Sequence, residues 1–513
     1  MDVVLQGLTQ AFTLVNLAFI TLGVFVGIVV GAIPGLNGPM AIAIAVPLTF
    51  FLTPLTAIAF LVGINKGANY GGAISAVLIN IPGAAEAIAT TFDGYPLTQK
   101  GQGQKALKMA LYSSVFGDTF SDIVLILVAA PFALLALKMG SSELFALLLF
   151  ALTFIAALVG NSMTKGIIAA IFGIFLSTVG LDSEASTPRL TFGQIDLEDG
   201  IPLLALIIGV LALSEILIQI EIGIRERAKG GISNIDAFSK QASRDDRVVT
   251  WAECKSCLRT TVRSSVIGTV IGAIPGLGST LAGFLGYGAA KRASDTPEEF
   301  GKGKLEGVAA AEAANSATVG ANLIPTLALG IPGNLSAAVL LGAFIIHGLT
   351  PGPLIFQQHG ATIYGIFGAM LVANFVNLFI GQAGLRFFSY VISLPKQFVL
   401  PTIVLMCFCG AYVTTQSMFA VGLMVVFALL GYILRKLDYS IVAFIIAFIL
   451  GPMTEDALRQ TMVLFGDNPV ELLQRPITMF FFALTIYSLY RFGTGDKPKM
   501  LTEPGDETGP RDV

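Results

Sequence analysis

Long apolar runs interrupted by glycine and proline set the pattern of this chain. From Val3 to Asn65, and again from Ala313 to Leu385, no side chain is charged. A membrane-crossing helix needs roughly 20 apolar residues, so each run holds several crossings or hairpins. Apolar segments fall at 11–31, 39–62, 68–91, 109–137, 143–160, 165–180 and 201–222, then at 262–290, 308–346, 361–381, 386–413, 416–434, 439–452 and 476–491. A large soluble helical core would show polar faces at helical spacing. Those faces are missing. The pattern predicts an all-α polytopic protein embedded in a lipid bilayer, in which several segments are too short or too interrupted to be simple crossings.

One stretch occurs twice. Gly31-Ala32-Ile33-Pro34-Gly35-Leu36 leads into Asn37-Gly38, and Gly272-Ala273-Ile274-Pro275-Gly276-Leu277 leads into Gly278-Ser279-Thr280. Proline removes a backbone donor and clashes with the preceding turn, while glycine permits unusual dihedrals. Each copy should therefore break a helix in mid-run and leave backbone polar groups free. In a bilayer such groups persist only where protein buries them or where they line a cavity. A second element repeats as well: Ile81-Pro82-Gly83 is matched by Ile331-Pro332-Gly333-Asn334, which sets Asn65 opposite Asn315. Broken helices at matching places in two halves point to a transporter's binding site.

The duplication divides the chain into a first membrane repeat (1–222), a hydrophilic linker (223–261), a second membrane repeat (262–495) and a Pro/Gly-rich charged tail (496–513) expected to be disordered. The linker carries Arg225, Arg227, Lys229, Lys240, Arg244, Arg247 and Lys255, so the positive-inside rule makes it cytoplasmic. Residues 181–200 hold a single basic residue, Arg189, which suits the opposite side. Lys291, Arg292, Lys302 and Lys304 lie between the two motifs of the second half, whereas Lys100, Lys105 and Lys108 follow both motifs of the first. Equivalent places then face opposite sides, as inverted-topology repeats require. Residues 262–290 are too few for two crossings of about 20 residues each, which predicts a re-entrant hairpin with its tip at Pro275-Gly276. The fold class expected is two inverted repeats with Pro/Gly-broken helices and re-entrant hairpins.

Composition narrows the function. Only 12% of the 513 residues are charged, about half the value usual for soluble proteins, which agrees with a membrane protein. A net charge of −3 excludes a general nucleic-acid binder. Two histidines leave little for metal or acid–base chemistry, so neither a metal site, a bound cofactor nor an enzymatic activity is expected. Cys254-x-x-Cys257 is a lone pair in a polar stretch and Cys407-x-Cys409 an apolar one, where a zinc site would want two polar pairs. Met1-Asp2 begins without a basic n-region or clear cleavage site, so no cleavable signal peptide is expected.

The candidate substrate site comprises the hairpin tips: Pro34, Gly35, Leu36, Asn37, Gly38, Pro82, Gly83, Pro275, Gly276, Leu277, Gly278, Ser279, Thr280, Pro332, Gly333 and Asn334, with Asn315. Half-helix N-termini present free N–H groups and a positive dipole end to an anion. Unwound carbonyls with Asn37, Asn65, Ser279, Thr280, Glu312, Asn315, Ser316 and Thr318 could coordinate a small cation such as sodium. Lys66 closes the first uncharged run. It either neutralises a substrate carboxylate or snorkels to an interface. Glu86, Asp93, Asp118 and Asp122 suit helix ends at the interface better than cation ligation or proton carriage, and Trp251, the one tryptophan, suits the cytoplasmic interface. His347 and His359 border a turn and are given no catalytic role.

These residues resemble the large permease subunit of the tripartite tricarboxylate transporters (TctA). The resemblance rests on the twin Gly-Ala-Ile-Pro-Gly-Leu motifs, Tyr70-Gly71-Gly72, Ile81-Pro82-Gly83 and Phe92-Asp93-Gly94-Tyr95-Pro96. It continues through Glu306-Gly307-Val308, Asn315, Ile324-Pro325-Thr326-Leu327, Gly330-Ile331-Pro332-Gly333 and His347-Gly348-Leu349-Thr350-Pro351. It spans residues 10–495 and implies a multi-pass permease of the bacterial inner membrane. It further implies uptake of organic di- or tricarboxylates delivered by a periplasmic solute-binding protein (TctC-like), a small membrane subunit (TctB-like), and coupling to an ion gradient, with Na+ the expected ion and no ATP. The absence of a Walker-type phosphate loop agrees. Asn65-Lys66 departs from the uncharged, often aromatic residues that the resemblance leads one to expect there. Two rivals differ in what they need: a channel requires a pore ring and passes ions without a binding protein, and an intramembrane enzyme requires a nucleophile–base pair or metal ligands inside the membrane.

Overall fold

The computed structural model describes residues 2–158, 162–228, 247–385, 387–388, 396–466 and 468–493. Lys229, Lys240, Arg244 and the tail 496–513 lie outside the described residues. Among the described residues the architecture is helical, apart from a hairpin of two two-residue strands, β1 (Gly180–Leu181) and β2 (Pro188–Arg189). The first half runs α1 (Asp2–Ala11), α2 (Leu14–Ala32), α3 (Gly38–Ala45), α4 (Pro54–Ile79), α5 (Ile88–Gln99), α6 (Gly103–Ala136), α7 (Ser141–Leu158) and α8 (Met163–Ser177). After the hairpin, α9 (Leu203–Ile207) passes through a π-helical stretch (Ile208–Leu213) into α10 (Ser214–Ala228).

The second half runs α11 (Trp251–Gly272), α12 (Gly278–Ala293), α13 (Leu305–Ala321), α14 (Leu323–Leu329), α15 (Leu335–Ile346), α16 (Ile355–Gln358) and α17 (Gly360–Ala383). It closes with α18 (Lys396–Thr415), α19 (Met418–Lys436), α20 (Ile441–Phe465) and α21 (Pro476–Gly493). Among the described residues six helical stretches are long and apolar enough to cross a membrane. The chain is a multi-pass membrane protein.

Two boundaries differ from the hydropathy reading for identifiable reasons. The segments 39–62 and 68–91 are not separate units, because α4 runs unbroken through Lys66, whose charge is matched inside the protein. Helix α11 starts at Trp251, inside the stretch assigned to the linker. There Thr250 accepts a hydrogen bond from the Glu253 N–H while the Glu253 carboxylate accepts from the Thr250 N–H, a reciprocal cap that fixes the start.

Helices α2 and α4 approach through small residues. Gly23, Gly27 and Gly31 on α2 face Phe60, Ile64 and Ala68, while Gly63, Gly67 and Gly71 on α4 face Ile20, Val24 and Ile28. A Cβ at Gly27 or Gly67 would run into the opposing backbone carbonyl. Glycines four apart on both helices thus bring two backbones into direct contact, as small residues do between membrane helices. Helix α11 meets α13 in the same way, with Gly268 and Gly272 against Ala314 and Thr318. These two seams carry the repeated motifs to their places.

The β1–β2 segment is tied to α20 by charge. Arg459 donates to Asp182 at 2.6 Å and to Glu455 at 2.6 Å, and Arg189 donates to Glu455 at 2.6 Å. The Arg459 guanidinium, then the Ala185 and Glu184 N–H groups, hold the Asp182 carboxyl well below the usual aspartate range. A lowered acid pKa contributes stability that is complete above the unfolded value and is lost only as pH falls through the folded one. The segment should therefore stay docked through the ordinary aspartate range near about 4 and loosen only below it. Arg459→Gln should loosen it already at neutral pH. Hydrogen exchange of residues 180–200 across a pH series reads both effects, and unchanged protection in the variant would refute the assignment.

Candidate functional site

All four Pro-Gly breaks occur where the residues place them. Helix α2 stops at Ala32, Ile33 is extended, and Gly35 has φ +92°. Asn37 then caps α3 by accepting the Met40 N–H at 3.1 Å, with Pro39 in the first turn. In the second copy α11 stops at Gly272, and Gly276 and Gly278 have φ +87° and +71°. Left-handed residues likewise end α4 at Asn80 and α14 at Gly330. Asn334 caps α15 by accepting the Ala337 N–H at 2.9 Å.

The breaks pack against each other. The Gly276 N–H donates to the Gly333 carbonyl at 2.8 Å, and a Cβ at Gly333 would stand 3.1 Å from the Gly272 carbonyl. In the first half the Gly83 N–H donates to the Gly72 carbonyl at 3.3 Å, and a Cβ on Gly83 would strike the Gly31 carbonyl. Gly83 therefore packs against the end of α2, with Pro82 half-buried beside it.

Both hairpin tips reach the N-terminus of α15. On one side Asn334 Nδ2 lies 3.4 Å from Ser279 Oγ, and Ser279 Oγ lies 2.6 Å from Thr318 Oγ1, whose hydroxyl also donates to the Asn315 carbonyl at 2.7 Å. On the other, Gly38 faces Asn65 and Ser336: a Cβ there would lie 3.3 Å from Asn65 Oδ1 and 3.9 Å from Ser336 Oγ. Thr280 follows Ser279 in the first turn of α12 and is half-buried, as are Pro34, Gly35 and Leu277, while Leu36 is buried. Deeper in the same seam, Asn315 donates to Asn69 Oδ1 at 2.7 Å, Asn69 donates to Ser316 Oγ at 3.1 Å, and Ser316 Oγ lies 2.5 Å from Ser114 Oγ. Glu312, fully buried, accepts a hydrogen bond from the Thr90 hydroxyl. The halves are cross-connected, since Gly283 on α12 faces the Glu86 carbonyl just before α5.

A cavity of about 510 Å³ opens beside the first tip, lined by Asn37, Leu335, Glu215, Arg435, Asp438 and Tyr439 among others. Arg435 donates to Glu215 Oε2 at 2.5 Å, and Gln219 donates to Glu215 Oε1 at 2.9 Å. A side chain on Gly35 would collide with Gln219, so the tip and this polar group are in contact. The lining combines a guanidinium, an amide and the capped starts of α3 and α15. Such a set suits a carboxylate, which Arg binds through paired donors. Sequence reasoning missed Arg435 because Arg435-Lys436 closes an apolar run like any helix end.

Lys66 neither snorkels nor faces the cavity. It is fully buried and paired with Asp118 at 3.3 Å and Asp122 at 2.9 Å. Those two aspartates are accordingly not at a helix end but one turn apart in the interior of α6. Asp93 is also not at a helix end but buried within α5. Its Oδ1 accepts the N–H groups of Gly301, Gly303 and Lys304 at 2.9, 2.8 and 2.8 Å, and its Oδ2 accepts the Tyr287 hydroxyl at 2.9 Å. Gly301 and Gly303 have φ +82° and +94°, which folds the loop around that one oxygen. Asp93 thus fastens α5 of the first half to the basic loop of the second. His347 lies 2.9 Å from the Thr49 hydroxyl at the end of α15.

A many-helix membrane protein whose broken helices gather at one polar locus has the build of a transporter subunit. The chain matches the tripartite tricarboxylate transporter TctA family over residues 17–446 and belongs to that family, one of membrane transporter subunits rather than enzymes. Among its relatives is an uncharacterized 52.8 kDa protein of the TAR-I ttuC' 3' region of Agrobacterium vitis, 33% identical over 475 residues and covering 92% of each chain. An uncharacterized protein of the TAR-II ttuC' 3' region of the same organism is 33% identical over 210 residues, covering 41% of this chain and 87% of its own. No solved structure matches.

Asp93→Ala should destabilise the chain by about 1–3 kcal/mol, because it removes the shared acceptor of three loop N–H groups and of the buried Tyr287 hydroxyl. Thermal unfolding of the detergent-solubilised protein measures this. A wild-type midpoint would show that the loop holds without the carboxylate.

Proposed function

We propose that this chain is the permease of a binding-protein-dependent secondary transporter that imports organic di- or tricarboxylates with a cation, sodium, across the bacterial inner membrane. The supporting observation is the convergence of both hairpin tips on the N-terminus of α15, beside the Arg435 cavity. The substrate's carboxylates sit against the starts of α3 and α15 and against Arg435, which exchanges Glu215 for the ligand. Asn37, Asn65, Ser279, Thr280, Glu312, Asn315, Ser316 and Thr318 supply the oxygen ligands for the cation. Lys66 acts on the substrate only indirectly, through the shape of α4.

The two halves are inverted repeats, a reading supported by reciprocal contacts: the tip helix α3 meets α15, and its counterpart α12 meets the segment before α5. Movement of one unit against the other then exposes the tips to each side in turn. A periplasmic solute-binding protein delivers the substrate and a small membrane subunit completes the assembly.

Uptake of a labelled carboxylate panel into proteoliposomes, with this chain and its small subunit, should require both the binding protein and an inward sodium gradient. Flux that ignores both would refute the secondary-transporter reading in favour of a channel. Gly276→Leu should abolish uptake while leaving membrane insertion intact. Gly276 has φ +87°, and a Cβ there would lie 2.5 Å from the Ile155 side chain. Normal uptake by that variant would remove the tip from the site.

A further inference from the structure

Three ionisable side chains meet in the interior between α4, α6 and α17, away from the hairpin tips. Lys66, Asp118 and Asp122 have side-chain exposures of 0%, 0% and 1%. Asp122 Oδ2 accepts from Lys66 at 2.9 Å and from Asn374 Nδ2 at 2.7 Å, and Asp118 Oδ1 accepts from Lys66 at 3.3 Å. One ammonium thus faces two carboxylates. If both were ionised, a net negative charge would be held away from water at a cost of several kcal/mol.

Hydrogen bonding points the same way. Asp118 Oδ2, Asp122 Oδ1 and Asn374 Oδ1 are buried without a partner. The cluster has more acceptors than donors, and buried acceptors left bare are costly. Surrounding groups do not make up the positive charge. The one further titratable group that interacts with the cluster among the described residues is Glu312 on α13, next to Asp118, and it is an acid; Glu86 and Tyr70 lie beyond it, next to Glu312. A metal ion suits the place poorly. The Lys66 ammonium already stands between the carboxylates and would repel it, and no group of three or more His, Cys, Asp or Glu side chains fit for a metal occurs among the described residues.

We propose that the Lys66–Asp118–Asp122 cluster binds one proton, shared by its two carboxylates. Binding forms one O–H bond on Asp118 or Asp122 and takes the proton from water when the helices part. The acid then supplies the missing donor and cancels the excess charge. Release returns the proton to water and leaves a negative charge that the closed interface cannot hold, so protonation favours the packed arrangement of α4 on α6. Asn65 faces the first tip while its neighbour Lys66 faces this cluster. One helix therefore connects the tip to a proton site.

Infrared difference spectroscopy of the full chain in bilayers, in a Glu86→Gln, Glu312→Gln background, tests this. That background should show the band of a buried protonated carboxyl at neutral pH, and it alone keeps the test decisive if further variants fail to fold. Either Asp118→Asn or Asp122→Asn should abolish the band, because one carboxylate then balances one ammonium. Lys66→Met should roughly double it. Absence of the band in the background, or its persistence in both Asn variants, would overturn the proposal. So would its disappearance on adding sodium at constant pH, which would make a metal ion the occupant. None of these readouts uses transport, so a failure of the carboxylate-uptake reading shows separately.

Discussion

A helix that stops inside a bilayer strands backbone N–H and C=O groups that hydrocarbon cannot satisfy, and among the described residues of this multi-pass protein four Pro-Gly motifs stop a helix. The rest of the architecture follows from meeting that demand. Gly276 gives its N–H to Gly333, Gly83 gives its own to Gly72, and Asn37 and Asn334 cap the helices that restart. Contacts this short need backbones that nearly touch, and the glycine seams between α2 and α4 and between α11 and α13 allow that approach. The breaks are thus consequences of close packing as much as of proline. A larger residue in a seam would separate the very carbonyls and amides that the tips rely on.

What could be read in advance was what local chemistry decides. Pro-Gly breaks and the helical membrane class follow from residue types and spacing alone, and both appear where expected. Interactions across the fold were not legible. Lys66 finds its partners 52 and 56 positions away, and no periodic rule connects α4 to α6. The partners of Asp93 were not legible because its three amide donors lie more than 200 residues on, in a loop whose basic side chains suggested only orientation. Arg435 was hidden by its place at the end of an apolar run. Glycines repeating every four residues on α2 and α4 were the readable signal that went unused.

Charge is treated in two different ways. The Asp182–Arg189–Glu455–Arg459 group joins the β1–β2 segment to the middle of α20, where two arginines meet Asp182, Glu455 and Glu184 with the side chains partly open to water. The Lys66 group is dry and uneven. Water screens the excess carboxylate of the surface set, which suits a fixed attachment, whereas the dry set has no such relief and suits a place where occupancy changes.

The cross-ties between the halves bear on how the protein is made. During synthesis the first half leaves the ribosome well before its partners exist. At that moment Asp93 has no loop to hold, Asn69 lacks Asn315 and Ser316, and Asp122 lacks Asn374. A nascent first half is therefore a membrane segment with unmet polar groups, and it must be sheltered or remain loosely packed until residues 301–374 arrive. Final assembly is then a late, cooperative event of the whole chain, and premature termination anywhere before α17 yields a product that cannot complete its own interior.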